Sequence, residues 1–203
     1  MKKLIKMFGF LVALLGLFFI GTLIADKKML QDNLIRLHVV ANSDSKVDQE
    51  NKLIVRDAVQ SFLDEHLKNI KTTEEAKSII LDMKDDTEKI VNSTLTSINA
   101  GYSGQVSLKM EEFGKRIYDT FTLPAGIYNA LKIELGAAKG KNWWCVAFPA
   151  LCIPKTSEEF SQACVEVGLQ NNLINTVTEK KGYEIRFFLL DCLGKIENFF
   201  YFP

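Results

Sequence analysis

Asp44 and Asp48 stand four residues apart in Asn42-Ser43-Asp44-Ser45-Lys46-Val47-Asp48, and they are the best-placed carboxylates in the 203-residue chain for general acid–base chemistry. Near one helix start they could serve an exported cell-wall or peptide hydrolase. The same residues also have a structural use. Ser45 with Asp48 three residues on has capping-box spacing, in which a side-chain oxygen accepts from a free backbone N–H of the first turn. The segment superficially resembles a calcium loop, but Lys46 stands where an acid or amide is needed and the sixth-position glycine is missing. The two histidines, His38 and His66, have no cysteine or serine in a recognisable nucleophile setting, and no G-x-S-x-G is present. There is no glycine-rich phosphate loop. Asp44-Ser45 and Asp119-Thr120 both lack the following glycine of an aspartic-protease motif. The chain therefore reads as a non-enzyme without metal or cofactor.

A second group of residues could recognise a partner. Asn142-Trp143-Trp144-Cys145-Val146-Ala147-Phe148-Pro149-Ala150-Leu151-Cys152 holds both tryptophans and two of the four cysteines. Successive side chains of a strand point to opposite faces, so the two indoles cannot share one side. Either both are covered, or one is an exposed aromatic of the kind interfaces favour. Cys145 and Cys152 would close an eight-residue loop around Pro149, a bridge contributing about 2.5 kcal/mol in the chain-entropy account. The alternative is that they are small buried hydrophobes, as Cys164 and Cys192 are expected to be.

The N-terminus sets the compartment. Lys2, Lys3 and Lys6 precede an uncharged run of 19 residues, Met7 to Ala25, near the lower length limit for crossing a bilayer. Positive charge before the run places residues 26–203 outside the cytoplasm. Residues 1–25 are thus a signal peptide or an N-terminal membrane anchor, and membrane contact is expected through them alone. Setting those three lysines aside leaves 22 basic against 25 acidic residues, a net charge of −3. That argues against a nucleic-acid partner, which needs clustered positive charge.

The remainder reads as a single α+β domain. Residues 34–41 alternate as a strand, with Ile35, Leu37 and Val39 on one face and Arg36, His38 and Val40 on the other. A helix capped at Ser45 runs to about Leu67, with Val55, Ala58, Val59, Phe62 and His66 on its apolar side. Asp48, Lys52 and Arg56, four apart, are expected to pair along it. A second helix starts at Thr72 and runs to Ile98, ending at Asn99-Ala100-Gly101. Strands are predicted near 104–110, 116–123 and 127–135, a third helix from Thr156 to Gly168, and a central strand at Ile185–Leu190. The tail carrying Phe199, Phe200, Tyr201 and Phe202 is expected to dock as a helix or strand. The predicted architecture is a mixed, mostly antiparallel sheet of about five strands with two long N-terminal helices packed on one face.

These motifs together carry a resemblance. Arg36 with Ala41-Asn42-Ser43-Asp44-Ser45, then Asp48-Gln49, Lys52 and Val55-Arg56-Asp57-Ala58-Val59, resembles the opening of stage II sporulation protein R. So do Leu123-Pro124-Ala125-Gly126 with Tyr128, Ala130 and Leu131, and Gly140-Lys141 leading into the stretch from Asn142 to Cys152. The resemblance implies a signalling protein made in the forespore and exported to the space between two membranes, either secreted or N-terminally anchored. There it would trigger a membrane-embedded receptor protease of aspartic type that cleaves the sigma-E precursor. On this reading Asn42, Asp44, Asp48, Arg56, Trp143, Trp144 and Phe148 form one partner-binding surface.

Overall fold

In a computed structural model, which describes residues 1–149, 156–178 and 184–201, the chain folds as one α+β domain. Its elements are α1 (Lys2–Asn33), β1 (Ile35–Val40), α2 (Lys46–Leu67), α3 (Thr73–Asp82), α4 (Lys84–Ser97), β2 (Gly104–Phe113), β3 (Arg116–Ile117), β4 (Thr122–Leu123), β5 (Gly126–Leu135), β6 (Asn142–Phe148), α5 (Ser157–Glu166), α6 (Asn171–Val177) and α7 (Glu184–Phe200). The main sheet has four strands in the order β2-β5-β1-β6, and β3 with β4 forms a separate two-stranded ribbon. β1 is parallel to β5 and antiparallel to β6, and β2 is antiparallel to β5. The sheet is mixed, as its pattern suggested; the predicted strand at 116–123 shrinks to the short ribbon.

All six residues of β1 are buried, because both faces of this inner strand are covered. Trp143 is opposite Val39 and shares its face. α2 covers that side, placing Arg56 over the Trp143 ring. Arg36 and His38 lie on the other face, level with Ala130 and Lys132 of β5.

The N-caps follow the sequence. Ser45, Thr72 and Thr156 accept from the N–H of Asp48, Glu75 and Glu159 respectively, each relieving a free donor of the first turn. The buried side of α2 is Val55, Val59, Leu63 and Leu67, one step from the predicted face. Phe62 and His66 turn outward, His66 Nδ1 meeting the Phe62 carbonyl. The predicted ladder of Asp48, Lys52 and Arg56 does not form. Lys52 donates to Gln49 Oε1 and the Lys141 carbonyl, and Arg56 pairs with Asp57. The long second helix breaks at Met83, whose φ of −91° and ψ of 6° leave the helical region. Asp85 and Asp86 follow in the first turn of α4, where negative charge favours a helix start.

Ile185–Leu190 is helical, the opening of α7, rather than a central strand. A short run that is apolar apart from Arg186 carries no clear period that separates a buried strand from a helix. Its buried side emerges only further on, where Leu190 and Asp191 are buried. The Asp191 carboxylate accepts from the Ala125 N–H, Glu197 from Ile127, and Asn198 donates to the Phe113 carbonyl. A β-carbon at Gly194 would fall on the Ala125 carbonyl, so α7 rests on backbone there. Gly194→Ala is expected to lower the unfolding free energy by about 2 kcal/mol, overpacking outweighing the gain in helix propensity; urea denaturation measures it. A stabilised variant would mean that α7 does not sit against the 124–126 turn.

α1 extends past the predicted 25/26 boundary. Leu23, Asp26 and Leu30 are buried. Asp26 pairs with Arg186, and Lys27 with Glu197 at 2.7 Å. Residues 23–33 therefore belong to the folded domain, whereas the preceding apolar residues are exposed.

Candidate partner-binding site

Three backbone segments converge at the start of β6. The chain leaves β1 at Ala41 and turns through Asn42–Ser45 into α2. The 136–141 loop packs on this turn, with Lys139 N–H donating to the Asn42 carbonyl and Gly140 N–H to the Ala41 carbonyl. A β-carbon at Gly140 would overlap the Ser43 carbonyl, so the close approach requires glycine. Lys141 N–H then donates to Asp44 Oδ1 at 2.7 Å, and Lys52 Nζ reaches the Lys141 carbonyl at 3.1 Å. One turn further along α2, the Arg56 guanidinium lies 4.3 Å from the centre of the Trp143 ring, within cation–π range.

Asp48 holds the turn together. Its Oδ2 accepts from Asn42 Nδ2 at 2.9 Å and Ser43 Oγ at 2.5 Å, and its Oδ1 accepts from the Tyr102 hydroxyl at 2.7 Å. Asn42 Oδ1 accepts in turn from Ala137 N–H. The hydrogen bonds from Ser43 and Tyr102 keep the Asp48 carboxyl below its ordinary value against the opposing effect of burial. Burial and the nearby Arg56 charge lower Lys52. The two carboxylates considered for hydrolysis are thus already bound by donors of the turn and loop; the helix cap itself is the Ser45 hydroxyl, and the aspartate side chains tie the turn to its neighbours instead.

The tryptophans divide between the faces, as alternation requires. Trp143 is half-buried beneath Arg56, and its indole N–H has no hydrogen-bond partner among the described residues. Trp144 stacks on His38 with 3.7 Å between ring centres and an interplanar angle of 15°, and the Arg116 guanidinium also lies over it. His38 Nδ1 is 2.7 Å from Glu111 Oε2, and Lys132 Nζ is 3.3 Å from Glu111 Oε1. Burial pushes the Glu111 carboxyl up, but its contacts with His38 and Lys132 outweigh that and leave it below its ordinary value of 4.5. A carboxyl lowered on folding contributes stability that is fully present above its unfolded value and lost as pH falls through the folded one. Acid unfolding below about pH 4.5 is therefore expected to be shallower in Glu111→Gln than in the parent. Identical acid limbs in a pH-resolved melting series would show that Glu111 carries none of it.

Arg36 is the functional-motif residue whose setting the sequence did not reveal. It is fully buried, 4.3 Å from the Phe113 ring centre and 5.2 Å from that of Tyr128. Its Nε donates to the Cys145 carbonyl at 3.0 Å and its Nη2 to the Tyr118 hydroxyl at 2.7 Å.

Of the seven predicted surface residues, Asn42, Asp44, Asp48, Arg56 and Trp143 meet around one turn. Trp144 faces the opposite side of the sheet. Phe148 is buried at the far end of β6, opposite Ile35, and lies outside the cluster. Cys145 is disulfide-bonded, and Cys164 and Cys192 are free thiols; Cys152, its predicted partner, lies outside the described residues. Within the described residues no group of three or more His, Cys, Asp or Glu side chains could hold a metal ion.

Comparison with known proteins covers the same region. The family model described as "Stage II sporulation protein R (spore_II_R)" matches residues 31–158. The "Stage II sporulation protein R" of Bacillus subtilis (strain 168) is 31% identical over 186 residues, a match covering 83% of each chain. No solved structure matches.

Proposed function

The chain belongs to the stage II sporulation protein R family, and from that premise we propose that it is an exported sporulation signal that activates a membrane-embedded receptor protease of aspartic type. The receptor then processes the sigma-E precursor in the mother cell, while this chain acts from the space between the two membranes. The observation that carries the reading is the junction of the two long sequence motifs, with Lys141 N–H on Asp44 and Arg56 over Trp143. It presents a half-buried indole and a guanidinium, the residue types that anchor interfaces, beside the exposed Asp44, Lys141 and Asn142.

The mechanism is allosteric binding. A ligand shifts its receptor only by binding the active arrangement more tightly than the inactive one. Asp48 contributes by fixing the turn, so that the surface is formed before the encounter and little ordering is left to the complex.

The test is reconstitution in a non-sporulating host that carries the matching receptor protease and a tagged sigma-E precursor. Trp143→Ala combined with Arg56→Ala is expected to reduce precursor cleavage more than about tenfold, the loss of an interface anchor costing on the order of 2 kcal/mol. Circular dichroism and melting of the variant confirm that it is folded. Full-strength cleavage by the folded variant would remove this surface from the mechanism. No cleavage even with the parent chain would break the receptor assignment itself.

A further inference from the structure

We infer that α7 is a membrane-surface helix, whose outward stripe Ile185, Phe188, Cys192, Ile196 and Phe199 lies in the head-group layer of the bilayer that α1 enters. The spacing of these residues, at i, i+3, i+7, i+11 and i+14, places them on one side of a helix. The opposite side is fixed to the domain through Leu190, Asp191, Gly194 and Asn198. The four large apolar residues of the stripe are between 56% and 78% exposed, although a soluble domain rarely leaves a continuous apolar strip uncovered.

Three observations identify a lipid surface as the cover. The first is continuity with α1, whose apolar stretch is long and hydrophobic enough to cross a membrane and is 6% buried. Its last exposed apolar residue, Ile24, lines the same groove of about 630 Å³ as Phe200 of α7. The second is attachment. Asp26–Arg186 and Lys27–Glu197 tie α7 to the two residues directly after the apolar stretch, so α7 cannot be far from wherever that stretch enters a bilayer. The third is charge. The exposed Lys28 and Lys195 flank the two apolar surfaces; each is paired within its own helix, with Asp32 and Asp191, and an anionic head group would compete for these exposed ammonium groups while their stems cover apolar area. An amphipathic helix of this kind lies in the plane of the interface with its apolar face just below the head groups. This adds a membrane contact to the one expected through residues 1–25.

The full chain is reconstituted into vesicles of phosphatidylethanolamine and phosphatidylglycerol with a benzoyl-phenylalanine in place of Phe188. Irradiation is expected to give a phospholipid adduct at that position, and likewise with the probe placed instead at Phe18 of α1. A double substitution on the same stripe, Ile196→Glu with Phe199→Glu, is expected to reduce the adduct at 188 several-fold while leaving the one at 18 intact. An adduct at 188 with a second copy of the chain would overturn the inference in favour of a protein-covered stripe. So would a yield at 188 no higher than with the same probe at the exposed Lys77 of α3, since that would place the stripe in water.

Discussion

Asp48→Ala is expected to lower the free energy of unfolding by about 3 kcal/mol, because one carboxylate satisfies three side-chain donors from two parts of the chain. Asn42 and Ser43 come from the turn before α2, and Tyr102 from the segment before β2. Hydrogen bonds to a charged acceptor contribute roughly 1.5–3 kcal/mol each and do not add fully. Water can reach the half-buried Ser43 and Tyr102 and recovers part of the loss, which keeps the total near that of one to two such bonds. Asp48→Asn keeps the shape but turns an amide NH2 toward groups that are themselves donors; about 2 kcal/mol is expected for it. The disturbance should spread to the 136–141 loop, because Asn42 also accepts from Ala137 N–H. Hydrogen exchange at Ala137, Gly140 and Lys141 reads this directly. A change below about 1 kcal/mol in Asp48→Ala, with exchange unaltered, would mean that the backbone contacts alone hold the turn.

The second large effect is at Arg36, and its order within a series is the informative part. Among the described residues no carboxylate forms an ion pair with this buried guanidinium; its setting is two aromatic rings, a carbonyl and a phenol. Arg36→Ala removes the packing and leaves a cavity, and a loss of about 4 kcal/mol is expected. Arg36→Met refills most of the volume and removes the buried charge. It gives up the hydrogen bonds to the Cys145 carbonyl and the Tyr118 hydroxyl, and about 1–2 kcal/mol is expected. Arg36→Lys should be worse than methionine in spite of its charge. An ammonium is a compact, strongly hydrated ion that cannot stack its plane on Phe113 or reach two acceptors in a fixed fork. Urea denaturation of the three variants gives the ranking. Lysine more stable than methionine would indicate a charge partner that the aromatic setting does not supply.

Much of the domain was legible in the sequence wherever a local rule had one solution. Ser45, Thr72 and Thr156 announced their helices because a hydroxyl three residues before a free N–H has few other uses. The strands at Gly104–Phe113 and Gly126–Leu135 were bounded by glycines and turn chemistry. The joining of Asp44 to the Trp segment was expressed as a shared surface, and the structure brings those segments into contact. What could not be read was decided by other parts of the chain. The side of α2 that turns inward depends on Leu63 and Leu67 finding the core, and nothing local favours them over Phe62 and His66. Ile185–Leu190 carries no period, and the anchors that make it helical lie in the 124–127 turn. The burial of Arg36 needed Phe113, Tyr118 and Tyr128, which lie more than seventy residues further along the chain. For Phe148 an aromatic residue near a predicted interface motif suggested recognition, but at the end of β6 it fills the core.

The register of β1 also orders the events by which the molecule comes into being. Ile35, near the start of the chain, pairs with Asn129 on one side and Phe148 on the other. A chain threaded N-terminus first through a membrane would deliver β1 long before either partner. The central ladder could not close until almost the whole of β6 had followed. Until then the strand has only local contacts, and long-range pairing of this sort is slow to form. The turn that unites Asp44 with Lys141 likewise waits for the 136–141 loop, nearly a hundred residues further along the chain. If the chain is exported as proposed, its partner-binding surface would be completed only after β6 has emerged, about three-quarters of the way through passage.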